Sequence, residues 1–256
     1  MAVWSNDTTN AVLKILEVLA RYEEELSIRK IADYCGLTKS KAHRLLQSLS
    51  ALNWAYQNAD TKNYYIGVAF LSAANEWRMG LDLVKTFDPV LRDIVAQCGQ
   101  TACLNVLDGE KGVCLHKVES RRSVRIASEI GQEYPLHAGA TGKLLLAYAA
   151  QPLIEQVLGG VLKEFTPYTV TDRNLLAKQL ETVRTYGYSF SVEEIDPGVA
   201  AVAIPASGGP DGTTMAITVA GTRFDYDLDA AVWLKILRAK KAEIEAGGEL
   251  ALALGK

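Results

Sequence analysis

The sequence contains few of the residues from which metal and redox centres are built. Its 256 residues include four cysteines and three histidines, and no two cysteines form a C-x-x-C pair. The spacing of these side chains matches no zinc or iron–sulfur motif. We therefore expect reduced, mostly buried thiols, no bound metal and no cofactor.

Long apolar runs are also missing. The chain has no stretch of about 18 apolar residues that would cross a membrane, and its beginning, MAVWSNDTTN, lacks the segments of a secretory signal. A hydrophobic content of 49% is typical of a globular protein with a core, and a net charge of −3 argues against general coating of nucleic acid. We expect a cytoplasmic protein without membrane contact, long enough for a small module and one further domain.

Catalytic motifs are absent as well. The sequence has neither G-x-S-x-G nor H-E-x-x-H, and the stretch GATGK differs from a P-loop because His137 and Leu144 stand where that motif needs Gly and Ser or Thr. Glu193 and Glu194 are neighbours on a predicted strand, so their side chains point to opposite faces and cannot share a proton. We expect no catalytic residue and no enzymatic activity.

The clearest pattern that is present runs from residue 28 to residue 54 and is typical of a helix-turn-helix. A short segment with apolar residues at helical spacing is followed by Gly36, which can take the positive φ of a tight turn. Thr38 is then the predicted N-cap of a second helix. The apolar stripe of that helix consists of Ala42, Leu45, Leu46 and Leu49.

The outward face of this second helix is polar and basic. Its first two turns carry Thr38, Lys39, Ser40, Lys41, His43 and Arg44. Because the first turns of a recognition helix enter the major groove, we expect these side chains to contact bases or phosphates of DNA. An ordinary solvated helix face is the alternative, and the turn, the cap and the local positive charge together favour DNA binding.

A polar turn between two aromatic runs follows the predicted recognition helix. Residues 54–57 and 64–66 read as the strands of a hairpin, which is the wing of a winged helix. We expect Lys62 at the tip of the wing, and Arg29 on the helix before the recognition helix, to contact DNA phosphates. A helix predicted over 10–19 completes a winged helix-turn-helix DNA-binding domain over residues 1–67.

The remaining chain predicts a linker helix and an α+β domain. Residues 68–80 have helical spacing and are followed by a second helix over about 84–98; the apolar stripe here fits either a dimer contact or packing on its own domain. Residues 81–256 are predicted to form one domain with six strands and interspersed helices. The strands are expected at 101–107, 112–118, 124–128, 188–193, 199–205 and 213–220, and the further helices at about 144–149, 174–186 and 228–246.

A loop of small residues precedes one of these helices. Residues 138–142 contain only small side chains at a helix start, where free N–H groups and the helix dipole can hold a carboxylate or a similar anion. Small residues at this point also permit close packing of a helix on a sheet. Both interpretations remain open from the residues alone.

Three segments of the sequence carry a resemblance to known proteins: GLTKSKAHRLLQSL, then G-x-x-x-PLHAGATGKLLLAYA, and RTYGYSFSVEEIDPGVAAVAIPA followed by MAITVAG. Together they resemble the IclR family of bacterial transcription regulators, and the resemblance spans about residues 8–225. It implies a GAF-like antiparallel-sheet effector domain, a homodimer or a dimer of dimers (a homotetramer), and a small effector, often a carboxylate from a catabolic pathway. Binding of the effector would change the affinity for an operator, usually to release repression of a catabolic operon.

The resemblance also implies which residues contact the effector. In glyoxylate-responsive members, the loop amides that hold the carboxylate align with Ala140 and Thr141, and an apolar lining position aligns with Ile126. An acid of those members aligns with Ser191, a cysteine with Ala201, and two serines with Thr218 and Ala220. The residues on the strands have the parity to point the same way. Since the acid, the cysteine and one serine are replaced by smaller or less polar residues, we expect a larger, partly apolar effector, such as an aromatic carboxylate, rather than glyoxylate.

The sequence therefore predicts a ligand-responsive, sequence-specific transcription regulator, most simply a repressor. Its partners would be double-stranded operator DNA with an inverted repeat, whose half-sites lie about 34 Å or a multiple apart, and the small effector. An enzyme domain fused to a DNA-binding module would need a catalytic constellation. A ligand-blind architectural DNA binder would need no pocket.

Overall fold

The computed structural model describes residues 7–80, 82–126, 128–206 and 214–246. The chain divides into two compact units, Met1–Met79 and Gly80–Lys256. In the described residues, no helix has both the length and the apolar character needed to span a bilayer.

The first unit consists of helices followed by a two-stranded hairpin. Its elements are α1 (Asp7–Arg21), α2 (Ile28–Cys35), α3 (Lys39–Ala51), β1 (Ala55–Gln57) and β2 (Tyr64–Ile66), and α4 (Val68–Gly80) follows them. The hairpin is antiparallel, with Tyr56 opposite Tyr65. Apolar residues of α1, α2 and α3 form one core with Leu26 and Tyr64. This is the predicted winged helix-turn-helix, and α4 lies where the linker helix was expected.

Local signals fix the turn between α2 and α3. Gly36 has φ 66° and its backbone N–H donates to the carbonyl of Asp33, so the predicted left-handed turn is present. Thr38 is the N-cap of α3, and its hydroxyl oxygen accepts from the Lys41 N–H at 3.2 Å. Ser27 caps α2 in the same way, accepting from the Lys30 N–H at 3.3 Å.

The second unit is built on one antiparallel sheet. Its elements are α5 (Asp82–Cys98), β3 (Thr101–Asp108), β4 (Lys111–Val118), β5 (Glu133–Pro135), α6 (Gly139–Ala147), α7 (Gln151–Gly159), α8 (Arg173–Tyr186), β6 (Ser189–Val192), β7 (Val199–Ala206), β8 (Met215–Thr222) and α9 (Arg223–Ala246). The strand order is β5-β4-β3-β8-β7-β6, and every neighbouring pair is antiparallel. The α+β fold class is confirmed.

Helices cover both faces of this sheet. On one face α5 and α9 bury Phe87, Leu91 and Trp233 against strand residues. On the other face α6 packs on the sheet and α8 packs on α6; Ala203 and Ala216 leave room for a close approach of α6. Because each face has its own apolar core, the residues between the N-terminus of α6 and the sheet are held in fixed positions.

Several predicted elements differ from the structure. The strand expected at 124–128 is wrong: the described residues there form no strand, and the edge strand is β5. The segment is held instead by side chains, since the Thr101 hydroxyl donates to the Ile126 carbonyl at 3.2 Å and Arg125 pairs with Glu119 at 3.3 Å. Helix α6 begins at Gly139 rather than at 144, α7 was not predicted, and α9 begins at Arg223 rather than at 228.

Candidate functional site

The exposed face of α3 presents the polar and basic residues that the sequence singled out. Thr38, Lys39, Ser40, His43 and Arg44 are exposed, Lys41 is half-buried, and Arg29 is exposed on α2. Within residues 7–80 the structure contains an ion pair between Lys30 and Glu24 at 3.4 Å, and none for Arg29 or for the basic residues of this α3 face. Their positive charges are therefore available for an external anion.

A groove separates the start of α3 from the β1–β2 hairpin, which we call the wing. It has a volume of about 580 Å³ and is lined by Ile28, Lys39, Ser40, His43, Gln57, Lys62 and Tyr64. Four of the eight predicted DNA-contacting residues thus meet here, on α3 and on the wing. The other four, which lie outside the groove lining, are Arg29, Thr38, Lys41 and Arg44.

The turn of the wing is fixed by an acid that the sequence analysis did not single out. The Asn58 side-chain oxygen accepts from the N–H groups of Asp60 and Thr61 at 2.8 and 3.1 Å. Glu25 then accepts from the Asn58 side-chain amide at 2.5 Å and from the Thr61 hydroxyl at 2.7 Å, and these bonds lower the pKa of Glu25. An acidic run at 23–25 reads as a solvated connection, so no local signal indicated this role.

The second unit contains a cavity of about 230 Å³ between the sheet and the start of α6, which we call the sheet cavity. All seven positions that the family resemblance proposed for effector contact line it: Ile126, Ala140, Thr141, Ser191, Ala201, Thr218 and Ala220. The strand register explains the convergence, because Ser191 lies opposite Ala201, and Ala201 lies opposite Ala220 on the next strand. The predicted common facing of these strand residues is present.

The start of α6 supplies backbone donors to the sheet cavity. Its N-cap, Ala138, makes no side-chain capping bond, and the N–H of Gly139 donates to the Glu194 carboxylate at 3.1 Å. The N–H groups of Ala140 and Thr141 belong to the first turn and have no intrahelical acceptor. The small residues also permit close packing of α6, because a Cβ on Gly142 would lie 2.0 Å from the Pro135 carbonyl oxygen.

A buried ion pair supports this helix start. Lys143 is 3% exposed and Glu194 is 8% exposed, and the Lys143 ammonium donates to the Glu194 carboxylate. Burial lowers the pKa of Lys143. Lys143, which stands at the lysine position of the P-loop-like stretch, is thus the ion-pair partner of an internal carboxylate.

The neighbouring acids do point apart, as expected, but for a different reason. Strand β6 ends at Val192, and Glu193 takes a left-handed conformation with φ 57°. Its carboxylate accepts from Arg223 at 2.6 Å and from the Gly198 N–H at 2.8 Å. A turn, rather than strand alternation, separates Glu193 from Glu194.

The sheet cavity also contains polar groups that the sequence analysis missed. Asn105 is fully buried in its wall; its amide nitrogen donates to the Thr218 hydroxyl at 3.1 Å, and Thr218 shares a second hydrogen bond of 2.8 Å with Thr141. The Asn105 side-chain oxygen has no donor among the described residues. An asparagine between Leu104 and Val106 on an otherwise apolar strand was the available signal.

Two family models match most of the chain. One for the C-terminal part of bacterial transcriptional regulators of the IclR type matches residues 78–245, and one for the IclR helix-turn-helix domain matches residues 12–59. The chain belongs to the IclR family. The resemblance inferred from the sequence motifs is thereby confirmed.

Curated relatives are transcription regulators. XynR of Escherichia coli K12 is 32% identical over 194 residues, which span 75% of this chain and 77% of XynR. KdgR of Dickeya chrysanthemi is 29% identical over 202 residues, spanning 78% of this chain and 66% of KdgR. The repressor AllR of Escherichia coli K12 is 28% identical over 210 residues, spanning 82% of this chain and 78% of AllR.

Solved structures share the fold. An IclR homologue from Microbacterium hydrocarbonoxydans, solved with 4-hydroxybenzoate, superposes with a TM-score of 0.79 at 20% identity, covering 96% of this chain and all of that one (100%).

The family models and the curated relatives identify the function in outline. The chain is a helix-turn-helix DNA-binding transcription regulator and not an enzyme, in agreement with its relatives.

Proposed function

We propose that this IclR-family regulator is a repressor of a catabolic operon, released when a small carboxylate occupies the sheet cavity. Residues 1–67 would bind the operator, residues 68–80 would link, and residues 81–256 would hold the effector. The relative AllR is a transcriptional repressor, which supports this sign of regulation. The observation on which the effector site rests is that all seven positions implied by the family resemblance line one cavity at the N-terminus of α6.

The chemistry of the sheet cavity supports an anion with a hydrogen-bond donor at some distance from its charge. The N–H groups of Ala140 and Thr141 suit a carboxylate at the positive end of the α6 dipole. Because Lys143 neutralises Glu194, the nearby acid does not repel that anion. The Asn105 oxygen is an acceptor without a donor, so a hydroxyl on the effector would satisfy it.

The size of the sheet cavity supports a single-ring effector. An apolar cavity of about 150 Å³ holds one benzene molecule, and the sheet cavity has about 230 Å³. The remaining volume suits a carboxylate and a hydroxyl, as in the 4-hydroxybenzoate that the Microbacterium homologue binds. A hydroxylated aromatic carboxylate belongs to the larger, partly apolar class of effector that the substitutions suggested.

The basic face of α3 and the wing would dock on an operator. Thr38, Lys39, Ser40, Lys41, His43 and Arg44 would enter the major groove, with Arg29 and Lys62 on phosphates. In a homodimer or a dimer of dimers, two such units would read an inverted repeat with half-sites about 34 Å or a multiple apart. A coupling of about 1–3 kcal/mol, equal to about 5–150-fold in DNA affinity, would suffice for regulation, and α4 would transmit it.

A thermal-shift experiment tests the effector site. Saturating 4-hydroxybenzoate, at about 100 times its dissociation constant, should stabilise the full chain by about 2.7 kcal/mol, or about 5–11 °C in Tm; glyoxylate should stabilise it less. Ala201→Trp would fill the sheet cavity and remove the shift, whereas Ala149→Ser, a change outside the cavity lining, should keep it. A shift that survives Ala201→Trp would contradict the site.

A DNA-binding experiment tests the basic face. Duplexes selected from a random pool by the wild-type chain would serve as the probe in fluorescence anisotropy. Arg44→Ala should weaken binding by about 1–3 kcal/mol, or about 5–150-fold, while Lys30→Ala is the matched control because Lys30 is already paired with Glu24. Equal affinity of Arg44→Ala and the wild type would overturn the assignment of α3 as the recognition helix.

A further inference from the structure

Two buried cysteines lie against each other in the second unit. Cys103 is on β3 and Cys114 is on β4, with 3% and 1% of their surfaces exposed. The two strands pair so that Asn105 lies opposite Cys114, and a register shift between Leu104 and Asn105 leaves Leu115 without a partner on β3. This bulge places the two thiols on the same face of the sheet, on neighbouring strands, with Cys103 two residues before the partner of Cys114.

The surroundings distinguish the two sulfurs. Cys103 is also within hydrogen-bond reach of the buried Ser128 side chain, and the ammonium of Lys117 lies nearby; the thiol of Cys114 donates to the His116 carbonyl at 3.7 Å. Hydrogen bonds from Cys114 and Ser128 lower the pKa of Cys103, and the pKa of Cys114 is raised, chiefly by Cys103. Lys117 lies directly opposite Cys103 on β4. Since a neighbouring ammonium favours the reactive thiolate, Cys103 is the better nucleophile of the pair.

Access also distinguishes them. Cys103 belongs to the wall of the sheet cavity, and Cys114 does not. The two remaining cysteines, Cys35 and Cys98, are buried in apolar cores, and burial raises the pKa of both thiols. A small solute in the sheet cavity therefore meets one nucleophilic thiol with a second thiol directly behind it.

We propose that Cys103 is a site of oxidation by a small hydroperoxide and that Cys114 resolves the product into an intramolecular disulfide. The size of the sheet cavity, about 230 Å³, selects hydrogen peroxide or a short alkyl hydroperoxide over a peptide disulfide such as oxidised glutathione. Redox-sensing cysteines in proteins commonly pair an attacking thiolate with an adjacent resolving cysteine.

The chemistry balances in two steps. The Cys103 thiolate attacks the terminal peroxide oxygen, the O–O bond breaks, and the leaving alkoxide or hydroxide takes a proton to become an alcohol or water; Cys103 becomes a sulfenic acid. Cys114 then attacks the Cys103 sulfur as its thiol proton is lost, the S–S bond forms, and hydroxide leaves as water. Two thiols lose two electrons and two protons in total, and the hydroperoxide gains both.

Closing the disulfide would change the wall of the sheet cavity. The sulfurs must approach to about 2.05 Å. Because Cys103 lies opposite Lys117 and Cys114 lies opposite Asn105, this approach needs a backbone adjustment at the bulge, where the ladder is already interrupted. Cys103 lies directly opposite Thr218 on β8, so its movement alters the hydrogen bonds of Thr218 and Asn105. This effect on ligand binding rests on the proposed function; the thiol chemistry does not.

Mass spectrometry of the full-length reduced protein tests the chemistry. After treatment with one equivalent of hydrogen peroxide, unfolding and alkylation, we expect a cross-linked Cys103–Cys114 peptide two hydrogens lighter than its parts, with Cys35 and Cys98 alkylated. Cys114→Ser should accumulate a sulfenic acid on Cys103 that dimedone traps, and Cys98→Ser is the matched control that should behave as wild type. Within the wild type alone, loss of alkylation at Cys103 should be at least about tenfold faster than at Cys98.

The outcomes separate this inference from the proposed function. Full alkylation of all cysteines after peroxide, or equal rates at Cys103 and Cys98, would overturn the inference whatever the protein binds. A disulfide that forms in a protein whose Tm never responds to 4-hydroxybenzoate would support the thiol site and contradict the effector class. If both hold, formation of the disulfide in the wild type should reduce the 4-hydroxybenzoate shift, and chemical reduction of the disulfide should restore it.

Discussion

The Lys143–Glu194 pair provides the sharpest test of the physical argument. Both side chains are buried, and the Glu194 carboxylate accepts from the Lys143 ammonium and from the Gly139 N–H. Lys143→Met removes the countercharge and keeps the length of the side chain. The Glu194 carboxylate then remains buried without its countercharge and with one backbone donor.

The expected loss follows from the burial of the pair. Removing one member of a buried ion pair costs about 3–5 kcal/mol, because the other charge is left uncompensated. For a chain of this size that loss lowers Tm by about 6–20 °C. The double variant Lys143→Met/Glu194→Gln leaves no charge and retains an oxygen for the Gly139 N–H, so it should lose only about 1–2 kcal/mol. The second substitution should therefore restore about 2–3 kcal/mol.

Differential scanning calorimetry measures the loss, and hydrogen exchange of α6 identifies the transition that belongs to the second unit. Lys178→Met, an exposed lysine on α8, is the matched control and should change the free energy of unfolding by less than about 0.5 kcal/mol. If Lys143→Met costs no more than Lys178→Met, or if the double variant is less stable than Lys143→Met alone, the buried countercharge does not stabilise the second unit.

Three further predictions concern single positions. Gly142→Ala places a Cβ 2.0 Å from a backbone oxygen and should lower the free energy of unfolding by about 1–3 kcal/mol. The control Gly159→Ala, whose added Cβ has nothing within 4 Å, should change the free energy of unfolding by less than about 0.5 kcal/mol. Equal Tm values for the two variants would refute the contact at Gly142. Gly36→Ala should cost about 1–2 kcal/mol because φ is 66°, and Gly36→Asn should cost less in the same assay. Hydrogen bonds lower the pKa of Glu25 in the folded state. Its stabilisation of the wing is therefore present above the ordinary pKa of 4.5 and is lost as pH falls through the lowered value. The NMR chemical shifts of the wing amides should show this titration step in the wild type and not in Glu25→Gln.

The first unit could be predicted from the sequence because its signals are local. Gly36 and Thr38 act within a few residues of their partners, and the apolar stripe of α3 repeats every turn. The exception is Glu25, which reaches the wing turn across more than thirty residues. No spacing rule relates an acid in one connection to an asparagine in another.

The second unit could be predicted less completely for the same reason. The strand expected at 124–128 has suitable residues, but the edge of β4 pairs with β5 instead, and only the packed structure decides between two candidate edges. The family resemblance located the sheet cavity, since alignment transfers positions that are distant in sequence. It did not indicate Asn105, Cys103 or the buried partner of Lys143, because these contacts join segments that periodicity treats separately.

The order of strands in the sheet has a consequence for the synthesis of the chain. Its central pair joins β3 to β8, so that Thr101 lies opposite Ala220 after about 120 intervening residues. The contacts of the first unit are short in sequence, and an N-terminal domain generally folds first on the ribosome. At about 5–20 residues per second, the wing and α3 are complete of the order of ten seconds before β8 emerges. Each newly made molecule therefore passes through a stage in which the DNA-reading unit is folded and the sheet of the second unit still lacks its central pair.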